Sequence, residues 1–204
     1  MNPQAELPLS ILFILLLSLA GPIKLIPVFA ALAGGADAPA RRKLAVGSGL
    51  YAVLGIAVAV LAGHAIMTSW RVSHEALGAA AGLVLMLVAL PPMISSGGNV
   101  GAPASVPSLP SAIAFAFPTI VPPYAFGVVI LFAAYFTSVR DQIAIIALGA
   151  AVTLINVLAM LFARQAYKIM GEVTLRILGA VFSILQLSLG MEMLYWSLKV
   201  RLLQ

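Results

Sequence analysis

Apolar residues along this chain form long runs that are separated by short groups of polar residues. The apolar runs cover residues 7–33, 44–70, 75–94, 111–135, 142–162 and 173–198. Each run reaches the roughly 20 residues that a helix needs to cross the hydrocarbon core of a bilayer. The pattern therefore predicts an all-α membrane protein with six transmembrane helices, built as a single transmembrane domain over residues 1–204. The uncharged connection 95–110 is predicted to lie partly in the membrane surface.

The composition leads to the same class of protein. Hydrophobic residues make up 63% of the chain and charged residues only 8%, and the mean hydropathy is +1.14. A soluble domain carries about 25% charged residues. The net charge of +5 comes from basic residues that flank the apolar runs, which favours bilayer head groups as their partner and argues against nucleic acid.

The sequence predicts neither an enzyme nor a metal or cofactor site. There is no cysteine, so disulfides, thiolate ligands and a cysteine nucleophile are excluded. The two histidines, His64 and His74, belong to separate parts of the pattern. No Ser/His/Asp set, phosphate loop or carboxylate pair is placed for catalysis. We therefore expect no catalytic residues, no cofactor and no metal.

Lysine and arginine counts on alternate sides of the six runs predict the orientation. One side holds six basic residues: Arg41, Arg42, Lys43, Arg164, Lys168 and Arg176. The other side holds four: Arg71, Arg140, Lys199 and Arg201. The first eight residues contain no lysine or arginine, so they lack the basic start of a signal peptide and we expect the first run to be retained. Both termini are predicted outside the cytoplasm, on the side where Trp70, Tyr135, Tyr195 and Trp196 would form an aromatic belt.

The two halves of the chain, residues 7–96 and 108–198, repeat the same features. Both carry Pro-x4-Pro inside their first apolar run, as Pro22 and Pro27 in one half and Pro118 and Pro123 in the other. Three spans per half is an odd number, so the second half is predicted to be inverted relative to the first. Small residues one turn apart also recur, and we interpret them as helix contacts. These small residues are Gly78 and Gly82 in the first half and Gly179 and Ser183 in the second.

Prolines inside a span leave backbone carbonyls without their usual partners. Pro22 and Pro27 are predicted to free the carbonyls of Ser18 and Ile23. Unpaired carbonyls in hydrocarbon cost several kcal/mol each, so a broken helix must face protein, water or a ligand. One interpretation is a kinked helix whose carbonyls are bound by neighbouring side chains. The matched pair of breaks instead favours a binding site between proline-broken first helices. The candidate substrate-binding residues are Ser18, Gly21, Pro22, Lys24, Pro27, Pro118, Thr119, Pro123 and Tyr124.

Four polar residues within the runs are further candidates for a role in binding or in packing. Lys24 either pairs with a substrate carboxylate or a buried acid, or extends its flexible side chain to an interface. Glu192 is interpreted as an interfacial carboxylate. Asn156 and Gln186 are amides of the kind that more often hold membrane helices together than bind a ligand.

The chain resembles the MarC family of six-helix inner-membrane proteins over nearly its whole length. The resemblance rests on the Pro22 segment followed by Leu-Ala-Gly-Gly and a basic start to the second run. It rests further on the run from Ile113 to Pro118 and on Arg176-Ile-Leu-Gly179. It implies the bacterial inner membrane as the location. The family looks related to the LysE-type amino-acid exporters, and its few members with a proposed activity are linked to transport of small neutral amino acids.

The chain departs from that family's pattern near the prolines. Gly21-Pro22 stands where the family usually has Asn-Pro, and Pro122-Pro123-Tyr124 stands where it usually has Gly-Pro-Gly. Lys24 replaces a small or polar residue. A polar amide and two flexible glycines are therefore missing from the region that the resemblance marks as the site.

Two functions are consistent with the sequence. The first is a transporter or exporter of a small polar metabolite, for example an amino acid. The second is a non-transporting structural or accessory subunit of a larger membrane complex. The expected partners are the lipid bilayer, a small-molecule substrate, and either further copies of the chain or other membrane subunits. A polar, water-accessible cavity beside the prolines would favour the first function, and a packed, dry region the second.

Overall fold

The computed structural model describes residues 9–33, 35–91 and 109–202, and all regular structure in these ranges is helical. The helices are α1 (Leu9–Leu19), α2 (Pro22–Ala33), α3 (Ala38–Trp70), α4 (His74–Ala89), α5 (Ala112–Phe115), α6 (Pro123–Tyr135), α7 (Val139–Leu161) and α8 (Ala163–Leu202). A turn over Ala116–Ile120 joins α5 to the residues before α6. Within α8, Gly171 has φ +72° and separates a short first part from a long second part.

The prediction of a helical membrane protein is confirmed, and the number of spans is confirmed only in part. Four helical stretches in the described residues are long and apolar enough to cross a membrane: Leu15–Ala33, Ala38–Gly63, Val139–Leu161 and Val173–Val200. A fifth exists if the bent pair Ala112–Ile120 and Pro123–Tyr135 forms one span. In the described part of the third predicted run, the helix α4 has 16 residues. Most of the uncharged connection lies outside the described residues.

Short polar side chains and one left-handed residue set several helix ends. Asp37, Ser73, Ser111 and Ser138 each accept a hydrogen bond from a backbone N–H in the first turn of the helix that follows. Such N-caps bind donors that the helix itself cannot satisfy. Arg71 closes α3 in the left-handed conformation with φ 55°. These ends lie in the polar groups between the apolar runs, as the sequence pattern predicts.

The helices of the two halves pack against one another. In the described residues the most extensive contact joins α4 to α8, and the next joins α3 to α7. The first broken span, α1 with α2, packs against both α7 and α8. The rings of Phe29 in α2 and Phe115 in α5 meet edge to face with centroids 5.7 Å apart. This aromatic contact links the two proline-containing spans inside the core.

The small residues behave differently in the two halves. In α4, a Cβ on Gly78 would lie 2.6 Å from the Ser197 hydroxyl, and one on Gly82 would lie 2.7 Å from the Gly190 carbonyl oxygen. These two glycines are helix contacts, as predicted. The same prediction is wrong for Gly179, because a Cβ there would meet nothing within 4 Å. Gly190 takes that role on α8, since its own added Cβ would lie 2.7 Å from the Gly82 carbonyl oxygen.

Candidate functional site

The first proline-containing span is interrupted at two residues, between α1 and α2. The Ala20 N–H still donates to the Leu16 carbonyl at 2.9 Å, whereas Pro22 has no N–H to continue the helix. Gly21 is required by this backbone, because a Cβ there would overlap the carbonyl oxygen of Leu17. The break therefore exposes the last carbonyls of α1 at the middle of an apolar segment.

Side chains from three other helices bind these carbonyls. The Gln186 side-chain amide donates to the Ser18 carbonyl at 2.9 Å and to the Leu19 carbonyl at 3.2 Å. The Tyr124 hydroxyl also donates to Leu19, at 3.3 Å. The Asn156 amide donates to the Ala20 carbonyl at 2.6 Å. The prediction that the two amides hold helices together agrees with these bonds, and the freed Ser18 carbonyl agrees with the predicted effect of Pro22.

One polar atom at the first break has no partner among the described residues. Asn156 and Gln186 are both fully buried, yet the Asn156 Oδ1 atom accepts no hydrogen bond. Asn156 lines a void of about 10 Å³, together with Thr153 and apolar side chains. That volume is about the space of one water molecule. The Asn156 amide is therefore satisfied on its donor side only.

The second proline-containing span breaks over a longer stretch. α5 ends at Phe115, and Phe117 is extended with φ −121° and ψ 120°. The Val121 N–H donates back to the Ala116 carbonyl at 3.0 Å, Pro122 is extended, and α6 begins at Pro123. The two helical segments of this span, Ala112–Ile120 and Pro123–Tyr135, are bent by 71° relative to each other. Tyr124, in the first turn of α6, connects this break to the first one through its hydroxyl.

A cavity of about 300 Å³ lies where the two breaks meet. Six of the nine predicted site residues line it: Gly21, Lys24, Pro118, Thr119, Pro123 and Tyr124. Its other lining residues are Leu19, Ala20, Leu25, Val88 and Pro122. Val88, Pro118 and Pro123 are exposed, so the cavity opens at the surface of the chain beside α4.

Lys24 is partly buried on the wall of this cavity. Its ammonium donates to the side-chain oxygen of Gln186, the same amide whose nitrogen binds the end of α1. Glu192 is exposed and accepts a hydrogen bond from the Trp196 indole. This position agrees with an interfacial carboxylate.

The three remaining predicted residues have different positions. Ser18 contributes its backbone carbonyl, and Pro22 is the first residue of α2. Pro27 lies inside α2 without ending it, so the prediction that Pro27 interrupts the first span is wrong. The sequence analysis also missed Val88 on the cavity wall. An apolar residue in an apolar run carries no signal that distinguishes a cavity wall from a lipid-facing surface.

These features define a helical integral membrane protein in which two interrupted helices meet at a cavity with a lysine on its wall. A family model described as MarC family integral membrane protein matches residues 8–202. The chain therefore belongs to the MarC family. No curated protein and no solved structure shows significant similarity to it.

Proposed function

We propose that this protein transports a small polar metabolite, such as an amino acid, across the bacterial inner membrane. The observation that carries the proposal is the meeting of both proline breaks at one cavity that also contains Lys24. Broken helices that meet inside the membrane form the binding sites of many secondary transporters. A lysine within a span is energetically costly and therefore marks a candidate functional site. The proposed reaction is transport alone, without catalysis.

The size and lining of the cavity suit a small solute. Ligand sites begin at about 300 Å³ and combine mostly apolar walls with a few polar groups. Here the polar groups are the Lys24 ammonium and the hydroxyls of Thr119 and Tyr124, while the other lining side chains are apolar. A molecule of a few heavy atoms would contact both kinds of surface.

We further propose that the two halves form inverted repeats around this site. The pairing of helices supports this architecture. The second run of one half packs on the second run of the other, as α3 on α7, and the third runs pair in the same way, as α4 on α8. A two-fold axis between the halves would produce such pairs. We also propose that both termini lie in the periplasm, as the basic residues indicate.

A flux measurement with a blocked cavity tests the proposal. The full chain in liposomes is expected to transport members of a panel of radiolabelled amino acids and other small metabolites. Thr119→Phe would fill the cavity and reduce that flux strongly. Thr137→Phe is the matched control, because Thr137 is exposed between α6 and α7 and should leave flux unchanged. Absence of flux for every solute by folded wild-type protein would refute the transporter function.

The second candidate is a structural or accessory subunit that transports nothing. One observation favours it: the carbonyls freed at the first break are already bound by Gln186, Asn156 and Tyr124. A break that is internally satisfied needs no ligand. Purification of the tagged protein in mild detergent, followed by native mass spectrometry, distinguishes the two functions. Fixed stoichiometry with other membrane proteins supports the subunit, and an isolated chain or homo-oligomer supports the transporter.

A further inference from the structure

The charge of the cavity wall is unbalanced. Lys24 is its one charged side chain in the part of the chain that the structure describes, and none of its lining residues is acidic. The Lys24 ammonium binds the neutral side-chain oxygen of Gln186. A neutral amide orients an ammonium without cancelling its charge. The wall therefore presents a positive group whose charge is not neutralised by the residues around the cavity.

The backbone adds further positive potential at the same place. α2 begins at Pro22 and α6 begins at Pro123, and the first turns of both helices contribute lining residues. The first turn of a helix carries unpaired N–H groups and a partial positive charge of roughly half a unit. Two helix starts and one ammonium thus surround the cavity.

The carbonyls at the end of α1, which lie beside the cavity, are already bound. The opposite, negative end of α1 consists of the carbonyls of Ser18, Leu19 and Ala20. Each of them accepts at least one hydrogen bond from Gln186, Tyr124 or Asn156. The Tyr124 hydroxyl uses its proton in one of these bonds. A ligand with a positive group would find no carboxylate among the described lining residues, and the carbonyls at the end of α1 already accept hydrogen bonds.

We infer that the preferred ligand is a small organic anion without a positive group, with its carboxylate bound by Lys24 and its apolar remainder against Leu25 and Val88. This inference rests on the proposed function and narrows its substrate class, because a zwitterionic amino acid would place its ammonium in a positive environment. Gln186 is a positioning residue that holds the lysine side chain against the end of α1.

Three ligands of the same carbon skeleton test the inference on wild-type protein. Propionate, L-alanine and n-propylammonium differ in charge and closely match in size. Their binding to the full chain in detergent is measured at pH 7 by saturation-transfer NMR titration. Both propionate and L-alanine can pair a carboxylate with Lys24, but only L-alanine also brings an ammonium for which the cavity offers no acidic partner among the described residues. A charged group taken out of water without a partner costs about tenfold or more in affinity, so propionate is expected to bind at least about tenfold more tightly than L-alanine. The n-propylammonium ion is expected not to bind.

Three variants then test whether Lys24 supplies the positive charge that binds propionate. Lys24→Met keeps an unbranched side chain of nearly the same length and removes its charge, so propionate affinity should fall by at least about tenfold. Lys24→Arg keeps the charge and should retain most of the affinity. Lys199→Met is the control, because that exposed lysine lies over the Trp196 ring, 4.9 Å from its centroid, and should have no effect.

The possible outcomes separate this inference from the proposed function. Binding of L-alanine as tight as that of propionate, unchanged propionate binding in a folded Lys24→Met variant, or no binding of propionate would each overturn the anion assignment. The wild-type comparison of ligands decides the question even if Lys24→Met does not fold. Flux of amino acids in liposomes with no propionate binding would leave the transporter function standing and the anion preference refuted.

Discussion

The two broken spans share a sequence motif but differ in how their breaks are stabilised. At the first break, the amides of Gln186 and Asn156 reach across from α8 and α7 to the carbonyls at the end of α1. At the second break, the turn over Ala116–Ile120 is closed by a backbone bond from the Val121 N–H to the Ala116 carbonyl. The carbonyls freed at the first break are bound by side chains of other helices, whereas the turn of the second break is closed by its own backbone.

The surroundings of the two breaks explain this difference. The first break packs against helices that carry fully buried amides. The turn of the second break packs against α3, where a Cβ on Gly55 would lie 2.5 Å from the ring of Phe117. That contact is apolar and offers no hydrogen bond. The same proline spacing thus yields a fixed end in one half and a self-supporting bend in the other, and we expect the second to be the part that moves during transport.

The largest effect is expected from Gln186→Leu, which removes the link that holds the first break. The change leaves the Ser18 carbonyl and the Lys24 ammonium without the Gln186 partner, and the Leu19 carbonyl keeps only the bond from Tyr124. Each unsatisfied group costs about 1–3 kcal/mol, and a charged group costs more. We expect a loss of about 3 kcal/mol or more in stability, measured by denaturant unfolding in detergent. Gln165→Leu, at an exposed glutamine, is the control and should change stability little. Equal effects of the two variants would show that the first break does not depend on Gln186.

A smaller loss of stability is expected when a substitution pushes α8, which carries Gln186, away from α4. Gly82→Ala places a methyl group against the Gly190 carbonyl, and overpacking of this kind costs about 1–3 kcal/mol. Gly179→Ala adds the same methyl where it meets nothing, and the better helix propensity of alanine should stabilise the protein by about 0.5–1 kcal/mol. The two thermal unfolding temperatures should therefore shift in opposite directions. Shifts of the same sign would contradict the close contact of α4 with α8.

Tyr124→Phe tests the side-chain hydrogen bond by which Tyr124 joins the two breaks. The lost bond to Leu19 is long at 3.3 Å, and the carbonyl keeps its bond from Gln186. We therefore expect a cost of about 0.5–1.5 kcal/mol, less than that of Gln186→Leu. Tyr51→Phe at an exposed tyrosine serves as the control in the same unfolding measurement. A cost above that of Gln186→Leu would mean that the breaks are coupled mainly through the tyrosine.

Substitution of the prolines is expected to have the smallest effect on stability. The two prolines, Pro123 and Pro27, should differ from each other in their effect on flux. Pro123→Ala allows the second span to straighten and should slow transport in liposomes. Pro27→Ala changes a residue inside α2 that does not mark the break, so flux should stay near the wild-type value. Equal slowing by both variants would argue that the first span moves as much as the second. Unchanged flux in both would mean that neither break takes part in the transport step.

The sequence by itself determined the class of this protein and much of its candidate site. Long apolar runs with few charges leave lipid as the solvent and helices as the structure, because backbone polar groups must be satisfied within each span. Lys24 and the prolines stand out for the same reason, since a charge or a missing N–H is costly in hydrocarbon. Gln186 and Asn156 were identified as helix-joining amides from their type and position alone.

Only the tertiary structure decided which groups meet. Contacts between helices that are distant in sequence decide three features of the site. These are the location of the first break at Ala20 and Gly21, the helical conformation at Pro27, and the pairing of Gln186 with the end of α1. The same holds for Gly190 replacing Gly179 at the close helix contact, and for Val88 on the cavity wall. The hydrophobic pattern carries no such information, because a membrane helix is apolar on its lipid-facing side as well as on its packed side. The rotation of each helix about its axis is set by packing and hydrogen bonds, and these exist only once the helices have assembled.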